Sequence, residues 1–465
     1  MAVALSHLSG RSIGVFGLAR SGLSTVRAAV GGGAQAVFAW DDKESARQEA
    51  EKSGGKAVEP GDWPWSDLDR LILAPGVPLT HPKPHAIVEM AKAANVRIVS
   101  DIELLWCEAE GRAGFVAVTG TNGKSTTTAL IGHILAAAGM KVSVGGNIGR
   151  AALDLDPPED GRVYVLEMSS YQLDLTCYFR PAVAVWLNLT PDHLDRHGDM
   201  AGYRAAKMRI FANMDAQDVA IVGIDEPEME DVAFELRRAG KPKLHTVSVG
   251  RHPEAALFVD EEGRLVEDGS AAASFASLAT LRGAHNWQNA AMAWGATQAF
   301  GVDPQAILVA MESFPGLAHR MELLGRRGRV LFVNDSKATN ADAAAKALAT
   351  FEPIYWIAGG QAKEGGIAPL VEFFPRIAKA YLIGTAADAF SHTLAGRVPH
   401  VIAVDLETAV RLASADAALD PAREPAVLLS PACASFDQFA DFEGRGEAFR
   451  RAYLALDGQP QEALP

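Results

Sequence analysis

Glycine, lysine and hydroxyl side chains meet in Gly120-Thr-Asn-Gly-Lys-Ser-Thr126, and their order suits phosphate chemistry. Glycines let a loop turn tightly enough for its N–H groups to face one anion. A lysine adds a full positive charge, and a hydroxyl can reach a phosphate-bound Mg²⁺. Gly120, Thr121, Asn122, Gly123, Lys124, Ser125 and Thr126 are therefore expected to converge backbone N–H groups on a nucleotide triphosphate. The loop is a shortened form of G-x-x-x-x-G-K-[ST], because Val118 stands where the first glycine belongs. Glu167 closes the apolar run Val163 to Met168, and a strand-end carboxylate beside such a loop is placed to hold Mg²⁺. Thr190-Pro-Asp-His-Leu-Asp-Arg-His197 collects acids and imidazoles just past another apolar run. His193 there reads either as a metal ligand or as a structural histidine. Lys207 shares a helical face with Tyr203 and Phe211. An ammonium on an apolar face is unusual unless its charge is used or modified. In His285-Asn-Trp-Gln-Asn289, Asn286 and Asn289 lie three apart and share a helix face.

These residues need carriers, and the hydrophobic pattern supplies them. Strands are expected at Ser12 to Gly17, Ala36 to Trp40, Asp69 to Ala74 and Val96 to Val99, with helices at Gly22 to Val30 and His85 to Ala94. That alternation is a parallel βα pattern. Its first turn, Gly17-Leu-Ala-Arg-Ser-Gly22, resembles G-x-G-x-x-G with Ala19 in place of the middle glycine. Asp41 follows about 20 residues on, where a ribose-binding acid lies in dinucleotide sites. The turn fits a dinucleotide, another nucleoside diphosphate or a purely structural role. Ala74-Pro-Gly-Val77 ends another strand at the same edge.

The phosphate loop is carried by a strand, Phe115 to Val118, and a helix, Thr126 to Ala138. Lys141 to Val144 is a strand leading to the loop Gly145 to Gly149, and Val183 to Asn188 is another strand. Past Pro315-Gly316 a third α/β unit begins. Its strand Val330 to Val333 opens into Asn334-Asp-Ser-Lys-Ala-Thr-Asn340, followed by a helix, Ala341 to Thr350. Strands follow at Ile354 to Ala358, Tyr381 to Gly384, Val401 to Asp405 and Val427 to Ser430, and the final helix includes Glu447 to Leu456. The expectation is an α/β chain of three domains. A Rossmann-like domain spans 1–102, a P-loop ATPase-like parallel sheet 103–316, and a second Rossmann-like domain 317–465. At about 150 residues per domain, 465 residues accommodate three.

Bulk properties exclude several functions. Hydrophobic residues make up 49% of the chain and charged ones 22%, enough to bury large cores. A net charge of −14 argues against a nucleic-acid-binding surface. Cys107, Cys177 and Cys433 are far apart and form no metal or disulfide framework, as expected of a cytoplasmic protein. The first residues lack a signal-peptide pattern, and no run of about 18 apolar residues is present, so no membrane insertion is expected.

Taken in order along essentially the whole chain, these motifs resemble those of the Mur ligases, ATP-dependent amide-forming enzymes of peptidoglycan synthesis. Gly120 to Ser125, Glu167-Met-Ser-Ser-Tyr-Gln172, Asp192-His193, Tyr203-Arg-Ala-Ala-Lys207 and His285 to Asn289 carry the general resemblance. Asn334 to Asn340 and Ser430-Pro-Ala-Cys-Ala-Ser-Phe-Asp-Gln-Phe439 are similar to the D-glutamate-adding branch.

The resemblance implies a ligase whose partners are UDP-N-acetylmuramoyl-L-alanine, D-glutamate and ATP, with two Mg²⁺ ions and a monomeric chain. It implies that Lys124 and its loop hold the ATP phosphates. Ser125 and Glu167 would ligate one Mg²⁺ and His193 a second, with Lys207 carbamylated to support a metal. Asn147, Gln172 and Asp192 would orient substrate and metal shell. Asn286, Asn289, Arg320 and Asp335 would bind ATP, and the C-terminal domain would close on it. Thr339, Lys363, Ser435 and Phe442 would bind D-glutamate, with Lys337 adding positive potential. Gly17, Arg20, Ser21, Asp41, Asp42 and Gly76 would take the UDP end.

Arg20 replaces an often apolar residue near the uracil, Asp42 a small hydroxyl residue, and Phe436 an often-present leucine. The alanine-adding branch usually has His at the position of Asn122. The diaminopimelate-adding branch usually has an Asp-Asn-Pro-Arg-like motif where this chain has Asp335-Ser-Lys-Ala-Thr. An L-glutamate-adding enzyme stays open. A NAD-dependent dehydrogenase built on Gly17 to Gly22 leaves Gly120 to Ser125 unexplained.

Overall fold

The computed structural model describes residues 3–363, 365–456 and 461–462; the outermost ends of the first and third expected domains lie outside the described residues. Three α/β sheets follow one another along the chain. The first is five-stranded, in the order Lys56–Ala57, Ala36–Trp40, Ser12–Phe16, Leu68–Leu73, Arg97–Val99, all parallel. The second has nine strands. Its parallel heart places Val183–Trp186 beside Ala113–Thr119, then Arg162–Glu167 and Lys141–Gly146. On the other side come Val219–Gly223 and Lys243–Val249, and then Leu257–Val259, Arg264–Glu267 and Ser270–Ser274, of which the last two pair antiparallel. All four residues of Val183–Trp186 are buried, as expected of a parallel strand covered on both faces.

The third sheet runs His400–Ile402, Ile377–Ile383, Ile354–Gly359, Ala426–Leu429, Val330–Asn334, Glu322–Arg327, Gln461–Glu462. The chain forms two compact units. One holds the first two sheets, through Phe275 and again over Trp287–Met311. The other holds Ala276–Asn286 and the chain from Glu312 onward.

Several boundaries differ from expectation. The helix after the phosphate loop begins at Lys124, not Thr126, with Gly123 at its N-cap (φ 84°). Lys141–Gly146 absorbs two glycines expected in the loop, because Gly145 and Gly146 stay in register with Leu166 and Glu167. Glu322–Arg327 was not expected, its charged Glu322, Arg326 and Arg327 masking any strand pattern. Asp405 lies past the strand His400–Ile402 and caps the helix Leu406–Leu419. The last helix, Phe442–Leu454 and capped by Asp441, contains Glu447 as expected but stops two residues short of Leu456.

One joint fixes the first sheet to the second. Glu103, on the connecting helix Asp101–Ala109, is buried and accepts hydrogen bonds from three successive N–H groups. These are Cys177 at 2.9 Å, Tyr178 at 2.6 Å and Phe179 at 3.2 Å. The Ser100 N–H donates to Leu175 O in the same seam. A single apolar core runs through both sheets, from Val15 and Ile72 to Ala117 and Leu166.

Candidate active site

The phosphate loop lies at the C-terminal end of Ala113–Thr119, an interior strand of the second sheet between Val183–Trp186 and Arg162–Glu167. Gly123 meets two demands there. Its φ is positive, and a Cβ would lie 2.3 Å from Asn289 Oδ1. Asn289 also accepts from Thr127 Oγ1 at 3.3 Å, so the expected ATP-side asparagine does pack against the loop.

The loop N–H groups do not all converge on a common anion position. Those of Thr121 and Asn122 donate to Asn188 Oδ1, at 3.0 and 2.8 Å. A carboxamide built into the neighbouring segment thus takes both donors. Lys124 Nζ turns back to the carbonyls of Gly120 (2.9 Å) and Thr121 (2.8 Å). The donors at the helix N-terminus, at Gly123 to Ser125, carry the electropositive end.

Beside the loop, Ser125 Oγ donates to Glu167 Oε2 at 2.6 Å, and Asn147 Nδ2 donates to Glu167 Oε1 at 2.8 Å. Glu167 and Ser125 are buried. Lys207 is 1% exposed; its Nζ donates to Gly120 O at 2.8 Å and to Thr119 Oγ1 at 3.3 Å and lies 4.7 Å from the Tyr203 ring centre. Burial first, and then the Lys124 cation, hold its amine well below the usual lysine range. Tyr203 Oη lies 3.4 Å from Thr121 Oγ1 and its ring 6.4 Å from that of His193. His193 has φ 54° and is half exposed, with Nε2 3.3 Å from Asp192 Oδ2. Thus Lys124, Ser125, Asn147, Glu167, Asp192, His193 and Lys207 gather around one sheet edge. Gln172 is buried, but its Oε1 accepts from the N–H and hydroxyl of Ser169 in a capping box, so its oxygen is committed to the helix Ser170–Asp174.

On the first sheet, Gly17 has φ 89°, and a Cβ there would sit 2.5 Å from Ala74 Cβ. Asp41 accepts from the N–H groups of Leu18 (2.7 Å) and Lys43 (2.9 Å), so its carboxylate secures the turn. Asp42 is exposed, and Arg20 and Ser21 open the helix Arg20–Gly31. Arg20 donates to Gly149 O at 2.7 Å, tying the turn to the loop that carries Asn147. Arg196 makes a second tie. Its guanidinium stacks 4.7 Å over Tyr171 and donates to Gly76 O at 2.8 Å and Val77 O at 3.1 Å. His197, buried beside it, shares a hydrogen bond with Ser170 Oγ at 2.9 Å; burial, then His193, Lys207 and Arg196, push its imidazole down to about 4.

The third sheet holds its own group. Asp335 accepts from Ser430 Oγ at 2.8 Å and from the Met321 N–H at 3.1 Å, and burial pushes its carboxyl up to about 7 against the field of Arg320. Lys337 Nζ lies 3.8 Å over the Phe442 ring, and the Thr339 N–H donates to Lys337 O. Lys363, exposed, follows the short strand Gln361–Ala362, which pairs with Cys433–Ala434 just before the buried Ser435. Arg445 braces this group from behind, fully buried and donating to Ser336 Oγ and to the carbonyls of Ser336 and Cys433. Asn286 Nδ2 donates to Arg282 O.

Sequence reasoning does not single out Asn188, Arg196 or Arg445. Asn188 had a readable signal as the first polar residue after a buried run. An arginine in a charged helix gives none.

The chain resembles known proteins over nearly its whole length. Residues 118–297 match the Mur ligase middle domain, and residues 319–433 match the Mur ligase glutamate ligase domain. The chain belongs to the Mur ligase family. The UDP-N-acetylmuramoylalanine–D-glutamate ligase of Rhizobium etli is 52% identical over 464 residues, covering 98% of this chain and 97% of that one. The enzyme of the same name from Caulobacter vibrioides is 50% identical over 457 residues, covering 96% of each chain. Solved structures share the fold at low identity. The UDP-N-acetylmuramate–alanine ligase MurC of Thermotoga maritima has a TM-score of 0.56 at 18% identity, covering 96% of this chain and 99% of that one. A UDP-N-acetylmuramoyl-L-alanyl-D-glutamate–2,6-diaminopimelate ligase also scores 0.56, at 19% identity, covering 98% and 95%.

Proposed function

We propose that this chain joins D-glutamate to UDP-N-acetylmuramoyl-L-alanine, converting ATP to ADP and phosphate, in synthesis of the peptidoglycan precursor. The observation that carries the site assignment is the gathering of Ser125, Asn147, Glu167 and Lys207 around the phosphate loop. No helix of the described residues is long and apolar enough to cross a membrane. A monomeric, cytoplasmic enzyme of three domains, 1–102, 103–316 and 317–465, fits this reading.

A carboxylate is a poor electrophile, so the reaction needs two steps. A substrate carboxylate oxygen attacks the γ-phosphorus, the bond to the β-phosphate oxygen breaks, and ADP leaves. The amine nitrogen of D-glutamate then attacks the acyl carbon. The C–O bond to phosphate breaks, phosphate leaves with the electron pair, and the new amide nitrogen gives up its proton to water. Both steps gather negative charge, so fixed cations and N–H donors dominate.

Lys124 exchanges its two carbonyl partners for phosphate oxygens in this reading, while Gly123, Ser125 and Thr126 present the helix N-terminus. The oxygens of Ser125 and Glu167, 2.6 Å apart and buried, are the hard donors that Mg²⁺ takes. Mg²⁺ supplies charge neutralisation on the phosphates. A second ion would use His193 and a carbamate on Lys207, whose neutral amine is the form that combines with CO₂. Asn147 and Asp192 would hold the acyl end, with Gln172 beside them. Gly17, Arg20, Ser21, Asp41, Asp42 and Gly76 would receive the UDP end. Asn286, Asn289, Arg320 and Asp335 would bind the rest of ATP, and Thr339, Lys363, Ser435 and Phe442, with Lys337, would bind D-glutamate.

The test is phosphate release with UDP-N-acetylmuramoyl-L-alanine and a panel of amino acids including D- and L-glutamate. Release that depends on D-glutamate is expected. Release that ignores it, or prefers L-glutamate, overturns the specificity.

A further inference from the structure

Asn188 lies at the end of the buried strand Val183–Trp186, with 8% of its surface exposed. Its Oδ1 accepts the N–H groups of both Thr121 and Asn122, and its Nδ2 donates to Asn122 O at 3.2 Å. Three of its hydrogen-bonding positions thus go to two adjacent loop residues. Its own carbonyl accepts from the Trp186 indole N–H at 3.2 Å and from the Thr121 N–H at 3.1 Å. Two residues on, Thr190 N–H donates to Thr121 Oγ1 at 3.0 Å, and that hydroxyl lies 3.2 Å from Thr190 O. The loop is therefore stitched at successive points to the segment leading into Asp192 and His193.

We infer that Asn188 is a positioning residue for nucleotide binding, its carboxamide acting as an internal acceptor that fixes the shortened phosphate loop before nucleotide arrives. The physical argument concerns donors without partners. A loop lacking the first glycine of the longer motif has less backbone to wrap a phosphate. Without the carboxamide the Asn122 N–H would lose its acceptor and the Thr121 N–H would keep only the Asn188 carbonyl, so the loop would have to order on binding. The carboxamide satisfies both, which leaves Lys124 and the helix N-terminus to face the phosphates. The same side chain sets the loop against the segment that leads from the strand Val183–Trp186 to His193. This rests on the ligase reading for the identity of the anion, not for the geometry.

The experiment compares wild type, Asn188→Ala and Asn188→Asp. Affinities for Mg²⁺–ADP and for UDP-N-acetylmuramoyl-L-alanine are measured by calorimetry. Hydrogen–deuterium exchange of the peptide spanning 118–126 is followed without ligand. Asn188→Ala is expected to weaken ADP binding about tenfold or more while UDP-substrate affinity stays within about twofold. Exchange in the loop peptide accelerates. Asn188→Asp keeps an acceptor, so it retains loop protection, yet its negative charge weakens ADP binding at least as much. A merely structural residue would weaken both ligands alike, and that result overturns the inference. So does ADP affinity in Asn188→Ala within about twofold of wild type, or unchanged loop exchange. A wild-type chain that binds no ADP defeats the ligase reading, and the ligand-free exchange then decides the role of Asn188 by itself.

Discussion

Ser125 Oγ donates to Glu167 Oε2 at 2.6 Å, joining two buried residues 42 positions apart. Asn147 holds the other carboxylate oxygen at 2.8 Å. Glu167→Ala removes the acid that orients both. Phosphate release should fall about 10²–10³-fold, with a higher Mg²⁺ concentration needed for half-maximal rate. Ser125→Ala should show the same Mg²⁺ shift and a smaller loss. Wild-type Mg²⁺ dependence in Glu167→Ala would sink the assignment.

Lys207 is buried with a carbonyl, a threonine hydroxyl and a tyrosine face for company, and among the described residues no carboxylate bonds to it. A neutral amine combines with CO₂ to give a carbamate and a released proton. With ¹³C-bicarbonate, a carbamate resonance should appear in wild type and be absent from Lys207→Ala. That variant should lose about 10²-fold or more in rate, and short carboxylic acids should restore part of it. Full activity without additives would count against the carbamate.

Arg196 reaches across from the His193 loop to the carbonyls of Gly76 and Val77. Hydrogen bonds from a charged donor are worth about 1.5–3 kcal/mol. Arg196→Ala should raise KM for the UDP substrate about tenfold or more and leave KM for ATP within about twofold. Arg196→Lys should recover only part, since a point charge cannot span two carbonyls and stack on Tyr171. Equal changes in both KM values would show that the contact does not act on the UDP end.

Asp335 gives a pH signature. Its carboxyl sits at about 7 in the fold against 3.8 when unperturbed. A raised folded value favours the protonated form. The contribution is complete below 3.8 and is lost as pH rises through about 7. Asp335→Asn removes this dependence. Relative to wild type, its unfolding free energy from urea titrations should rise between about pH 5 and about pH 8, by an amount on the order of a few kcal/mol. Parallel pH profiles for the two chains would rule out Asp335 as the source of the dependence.

The sheet strands were legible because parallel strands buried on both faces must be apolar nearly throughout, as Val183–Trp186 and Ile354–Gly359 are. The candidate residues stood out for separate reasons: Lys124 follows a glycine loop, Glu167 ends an apolar strand, and Lys207 sits on an apolar helix face, where an ammonium is costly to bury. Glu322–Arg327 was not, since its neighbours rather than its own pattern make it a strand. Nor was the bonding of Asp41 to Leu18 N–H, or of Asn188 to the phosphate loop, visible. Both depend on which backbone donors a distant segment delivers, and sequence spacing carries no record of that. The pairing of Gln172 with Ser169 was readable as a capping box.

The three N–H groups that close on Glu103 have a consequence for substrate choice. They hold the helix that leaves the first sheet, Asp101–Ala109, against the Cys177–Phe179 segment that leads into the second sheet. In the proposed binding mode, with the UDP-linked substrate reaching from Gly17 to Asn147, that packing would act as a ruler of fixed length. Analogues whose linker between diphosphate and acyl group is longer or shorter should be rejected by reach alone, however well each end fits its own pocket.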